Sequence, residues 1–69
     1  SFIEERCTKD PCEWIESGTL FNAYRVWTQN EGIQKPLSHR GFSKRLERLG
    51  YRLDRTKSSR ILKGITLKG

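Results

Sequence analysis

The 69-residue chain has no methionine, one histidine, two cysteines and two prolines, and each scarcity excludes something. Two cysteines, Cys7 and Cys12, are too few for the disulfide framework that staples small secreted domains. A structural zinc site needs four ligands, and beyond the two thiols the chain offers only His39 and carboxylates, so no metal is expected. Cys7 reads as a part-buried thiol and Cys12 as a loop thiol, both in a reducing cytoplasm. There is no nucleophile with a base and an orienting third group, no carboxylate pair beside a pocket and no glycine-rich phosphate loop. The chain is therefore expected to be a non-enzyme without a cofactor. A membrane partner is not expected either, because there is no long apolar run, no signal-like segment and no Trp or Leu face matched to the basic residues. Internal repeats and low-complexity tracts are missing as well. With no initiating methionine ahead of a helical-looking start, we expect residues 1–69 to be one domain cut from a longer protein.

What is present is charge, unevenly placed. Residues 1–31 carry three cations and six acids, a balance of −3, whereas residues 32–69 carry eleven cations and two acids, a balance of +9. A half of that kind steers toward a polyanion, with nucleic acid ahead of an anionic membrane or an acidic protein. The apolar fraction is 33%, with two Trp, two Tyr and three Phe, enough aromatic area for a folded core.

Taken in order, residues 1–8 predict a first helix with Phe2 and Ile3 inward and Cys7 one turn on, closed by Asp10 and Pro11. Residues 13–16 follow as a short extended piece, in which Ile15 faces the core and Trp14 lies at the edge or under the first helix. Ser17, Gly18 and Thr19 offer caps for a second helix to Asn30. Leu20, Ala23, Tyr24 and Trp27 share one face of it, while Arg25 and Val26 face away. Glu31 and Gly32 end that helix, and Lys35 and Pro36 break the chain before the next.

Residues 37–50 predict a third, amphipathic helix. Ser38 is a good N-cap, Leu37 can staple onto Phe42, and Gly50 stops the helix. Phe42, Leu46 and Leu49 form its apolar stripe; Arg40, Ser43, Lys44, Glu47 and Arg48 spread over the other side. After Gly50 the period falls to about two, giving strands over 51–55 and 61–67. Between them residues 55–60 have the composition of a flexible cationic hairpin loop. Leu62 and Ile65 are out of step, so Gly64 is expected at a bulge that turns Leu62, Ile65 and Leu67 inward together.

This order of elements is that of an α+β winged helix-turn-helix: three helices, a short strand and a C-terminal two-stranded β-hairpin wing. The run Leu20-x-x-Ala23-Tyr24-x-x-Trp27, then Lys35-Pro36-Leu37-Ser38, Phe42-x-x-x-Leu46, Gly50 and Gly64-Ile65-x-Leu67, resembles the small C-terminal domain of phage- and plasmid-type primase-helicases, the group related to the poxvirus helicase-primase. The resemblance covers residues 2–67. It implies that a superfamily 3 helicase domain of the AAA+ type precedes Ser1, often with a primase domain before it. The paired Cys7 and Cys12 depart from that pattern.

Double-stranded DNA is the expected partner. The recognition helix, about residues 38–49, would enter the major groove, with Arg40, Ser43 and Lys44 reaching base edges. Lys35, Ser38 and Arg48 suit phosphates, and Arg55, Lys57 and Arg60 of the wing suit an adjacent backbone or minor groove. His39 joins the set as a surface or cap residue able to bridge to a phosphate. Glu47 reads as an intrahelical partner of Lys44 or Arg48, with a cytosine N4 contact as the alternative. The competing expectation is a protein-interaction module that contacts the preceding helicase domain or a host replication protein through Trp14 or the acidic first half.

Overall fold

The computed structural model describes residues 2–68; Ser1 and Gly69, the two ends of the expected domain, lie outside the described residues. The elements run α1 (Phe2–Arg6), β1 (Cys7–Glu16), α2 (Ser17–Asn30), α3 (His39–Arg48), β2 (Arg52–Arg55) and β3 (Arg60–Leu67). The result is a mixed α+β fold of three helices and one antiparallel sheet, with strand order β1-β3-β2.

The first helix is shorter than its sequence pattern, ending at Arg6 and not at residue 8. Cys7 is drawn into the sheet instead, opposite Leu67, and the Lys68 N–H donates to the Arg6 carbonyl at 2.9 Å. A partner that distant in sequence overrides a local helical preference. The extended piece over 13–16 is accordingly the end of a ten-residue strand. Asp10 and Pro11 do not close a helix; they lie in a detour of β1, where residues 10–13 stand opposite Gly64 alone. Asp10 Oδ1 accepts the Cys12 N–H there at 3.0 Å. Proline, lacking an N–H, fits an unpaired stretch of an edge strand.

Gly64, at φ +89°, takes the conformation that such a register shift requires and that side chains with a Cβ avoid. The expected irregularity is present, but its extra residues lie on β1 opposite Gly64 and not on the strand that carries Gly64. Leu62 and Ile65 are both fully buried, and Leu67 is partly buried against the same core. Ile15 packs inward, while Trp14 is 55% exposed on an edge strand.

Both long helices end in the same hydrogen-bond pattern. In α2 the Gly32 N–H reaches the Gln29 carbonyl at 3.3 Å and the Ile33 N–H the Thr28 carbonyl at 2.9 Å. In α3 the Gly50 N–H reaches Glu47 at 3.0 Å and the Tyr51 N–H reaches Leu46 at 3.1 Å. These paired bonds, around a left-handed glycine, satisfy carbonyls that a helix end otherwise leaves open. Their starts differ. Ser38 Oγ accepts the Gly41 N–H at 3.2 Å, as its sequence position predicts. The cap of α2 is none of Ser17, Gly18 or Thr19 but Glu16, whose side chain makes no capping bond.

The core joins Phe2, Leu20, Tyr24, Phe42 and Leu46 to Leu62 and Ile65 from the sheet. Tyr24 stacks on Phe42 with ring centroids 4.6 Å apart, and Phe2 meets Tyr24 edge-on at 5.5 Å. Ala23 and Trp27 are partly buried, and Arg25 and Val26 face out as their spacing implies. Thr28 adds a fully buried position that its polarity conceals; its hydroxyl donates to the Arg25 carbonyl at 2.7 Å. Leu49 departs from the predicted stripe. It caps α3 and is 57% exposed, because no element covers that end of the helix. Leu37, expected to staple onto Phe42, shares a groove with it but is 38% exposed.

Candidate nucleic-acid interface

Helix α3 presents three sides. Phe42 and Leu46 enter the core. Arg40, Ser43, Lys44 and Glu47, one helical turn apart in pairs, line a groove of about 580 Å³. Its far wall is Leu53 of β2 and Arg60 of β3, and His39 stands at the helix start. Gly41, Arg45 and Arg48 lie on the third side, along a separate depression that Lys44 also borders.

The hairpin sets the second cationic cluster. Arg55 and Arg60 are direct cross-strand partners, and like charges placed so repel. An anion beside them would relieve that repulsion. The connecting residues 56–59 are not the flexible loop their composition implies. The Thr56 N–H donates to the Ser59 carbonyl at 2.8 Å, the Thr56 hydroxyl to the same carbonyl at 3.0 Å, and the Ser59 N–H to Thr56 Oγ1 at 3.1 Å. Lys57 is thereby held on a tight, exposed tip.

Asp54 accepts from Lys63 Nζ at 3.0 Å and from the Arg55 N–H at 2.8 Å. The Lys63 hydrogen bond, then the Arg55 N–H, then the Lys63 charge, hold its carboxyl below the usual aspartate range. Both partners are more than half exposed, so the pair orients side chains more than it stabilises the fold. Among the described residues, no other cation of α3 or the hairpin is engaged in an ion pair. That includes the expected pairing of Glu47 with Lys44 or Arg48, which does not form.

His39 remains exposed, but its ring is held by two neighbours from α2. Its Nε2 lies 2.7 Å from Ser17 Oγ, and its ring stacks on Phe21 at 4.7 Å and an interplanar angle of 7°. Ser17 is itself buried, so this bond supplies the partner that a buried hydroxyl needs. His39 therefore ties the start of α3 to the start of α2. The Leu37 N–H, donating to the Tyr24 hydroxyl at 3.0 Å, ties in the segment just before it.

The sequence-derived set thus divides. His39, Arg40, Ser43, Lys44 and Arg60 share one groove. Arg55 and Lys57 stand exposed on the adjoining hairpin; Arg48 turns to the third side of α3; Lys35 is exposed in the connecting segment away from both. Ser38 spends its acceptor on the helix cap. Arg45 and Leu53 stand outside the sequence-derived set, and Ser17 is expected from sequence only as a helix cap. Arg45 was visible on a helical wheel, but the Ser17–His39 bond joins two helix starts and left no local signal.

The two thiols are both free. Cys7 is buried, and burial raises its pKa to about 11, with the Lys68 charge pulling the other way. At neutral pH it is therefore held as the protonated thiol. Cys12 is exposed in the β1 detour. Among the described residues no three His, Cys, Asp or Glu side chains assemble into a metal site, and no helix is long and apolar enough to cross a membrane.

Fold and surface together define a small α+β domain whose cations gather on one helix and one hairpin. Its sequence matches the family model of poxvirus D5 protein-like proteins over residues 1–64, and the chain belongs to that family. Membership agrees with the resemblance to primase-helicases and places the chain in a replication-related group. No curated protein and no solved structure matches it.

Proposed function

We propose that the chain is a winged-helix module by which a replication primase-helicase binds double-stranded DNA, one domain of that larger protein and not itself catalytic. Helix α3 lies in the major groove with Arg40, Ser43 and Lys44 at base edges. The hairpin places Arg55, Lys57 and Arg60 on the backbone or in the minor groove, and Ser38, His39, Lys35 and Arg48 stand as supporting phosphate contacts. The observation that carries this reading is the shared groove, where α3 and β3 bring together cations that have no ion-pair partner among the described residues.

Titrating short duplex DNA into isotope-labelled protein tests it. Amide shifts are expected in residues 38–48 and 55–60. If about four to six phosphates are neutralised, log affinity falls against log salt with a slope near −4 to −5. No binding at low salt, or shifts confined to β1, sinks the proposal. Competition among duplex, forked and single-stranded DNA then identifies the preferred form.

Trp14 supports a second reading. It is 55% exposed on edge strand β1, away from the basic groove, and suits contact with a helicase domain or a host replication factor. In that case Trp14→Ala lowers partner affinity and Arg40→Ala does not.

A further inference from the structure

The apolar side of α3 continues past the core into an uncovered groove. Ile3 of α1, Trp27 of α2 and Phe42 and Leu46 of α3 form its walls, and the two exposed leucines Leu37 and Leu49 line it. Single exposed leucines are ordinary, but two of them joined through a common groove to Ile3 and Trp27 make a contiguous apolar strip. Arg45 borders the same groove, and Lys44 and Arg48 border the depression that continues from Leu37 and Leu49. None of the three cations has an ion-pair partner among the described residues. The basic edge therefore runs along α3, whereas the α1 edge belongs to the helix that carries Glu4 and Glu5.

We propose that this groove docks an acidic amphipathic helix of a partner protein. The helix lays a leucine-type stripe between α1 and α3 and turns its carboxylates toward Arg45, Arg48 and Lys44. Charge complementarity selects this occupant: an apolar strip with one cationic edge rewards anionic side chains on one flank only. The site adjoins the DNA groove without coinciding with it: Lys44 stands between the two and borders both, but Gly41, Arg45 and Leu49 do not line the DNA groove and Arg40 and Ser43 do not line this one.

The test uses the 69-residue chain and a fluorescein-labelled synthetic helix of about 18 residues, long enough for five turns. It carries Leu at i, i+4, i+7 and i+11 with Glu along one flank. One control replaces every Glu by Lys, and a second scrambles the order at constant composition. Fluorescence anisotropy is expected to show the acidic helix binding at least about tenfold more tightly than either control. Amide shifts are expected at Leu37, Arg45 and Leu49. Leu49→Ala and Arg45→Ala, both at exposed positions, each weaken binding about fivefold or more, while Arg40→Ala changes it less than about twofold. Equal binding of the scrambled peptide, shifts confined to the Arg40 groove, or indifference to Leu49→Ala overturns the proposal. So does concentration-dependent self-association abolished by Leu49→Ala, which would seat a second copy there. Duplex binding by the same variants is read in parallel, so failure here is distinguishable from failure of the DNA reading.

Discussion

Helices α2 and α3 stop in the same way and start in different ways, and the difference matches what each does. Helix α2 leaves β1 directly, capped by a glutamate whose side chain makes no capping bond, and its first residue is secured by His39. It buries Ser17, Leu20, Tyr24 and Thr28. Helix α3 begins on a serine cap and buries only Phe42 and Leu46. Tertiary contact defines α2; local sequence signals define much of α3. A helix that needs so little burial to persist can leave two sides open, and those two sides border the basic groove and the apolar one.

The comparison is sharpened first at the core. Leu20→Ala and Leu46→Ala are each expected to lower stability by about 2–5 kcal/mol, read from urea unfolding. A much smaller loss for Leu46→Ala would mean that α3 is not anchored as described. Next comes function. Arg40→Ala is expected to weaken duplex binding by about 1–3 kcal/mol and to relax sequence preference, with Lys57→Ala weakening it less and evenly across sequences. Arg25→Ala, on the exposed side of α2, should leave the affinity unchanged; an equal loss there would erase the distinction between the helices.

His39→Ala tests the link between them. It strands a buried Ser17 hydroxyl and is expected to cost about 1–3 kcal/mol of stability, which loss of the proposed phosphate contact alone would not explain. Ser38→Ala should cost about 1 kcal/mol, seen as a lower thermal midpoint. The smallest effect is expected at the other start: Glu16→Asp supplies the cap that α2 lacks and should raise stability by about 0.5 kcal/mol. No gain would show that β1 already fixes that end.

What was legible in the sequence was local. The α2 face of Leu20, Tyr24 and Trp27, the Ser38 cap and the stops at Gly32 and Gly50 each depend on neighbours within a turn or two. Even the irregularity at Gly64 could be inferred, because Leu62 and Ile65 cannot both turn inward without one. What escaped depended on distant partners. Cys7 follows Leu67 into the sheet, though its own surroundings favour helix. Leu49 holds the correct side of α3, but periodicity names a side without revealing whether anything lies over it. For the candidate site, the side chains of Arg40, Ser43 and Lys44 could be grouped from spacing alone, while Arg60 and Leu53 joined them only through the sheet. The engagement of His39 with Ser17 was beyond reach for the same reason.

The detour and the rungs on either side of it bear on how the domain carries load. Lys68 donates from its N–H to the Arg6 carbonyl and from its ammonium to the Glu4 carbonyl, so both ends of the described chain leave from one corner. A pull between them acts across the Cys7–Leu67 rung, along the hydrogen bonds of an antiparallel pair and not against their combined shear. Those bonds open singly, and the seam is already interrupted where residues 10–13 swing wide of Gly64. Tension between those ends therefore loads the Cys7–Leu67 rung first, ahead of the two helices that lie between β1 and β2 in the chain.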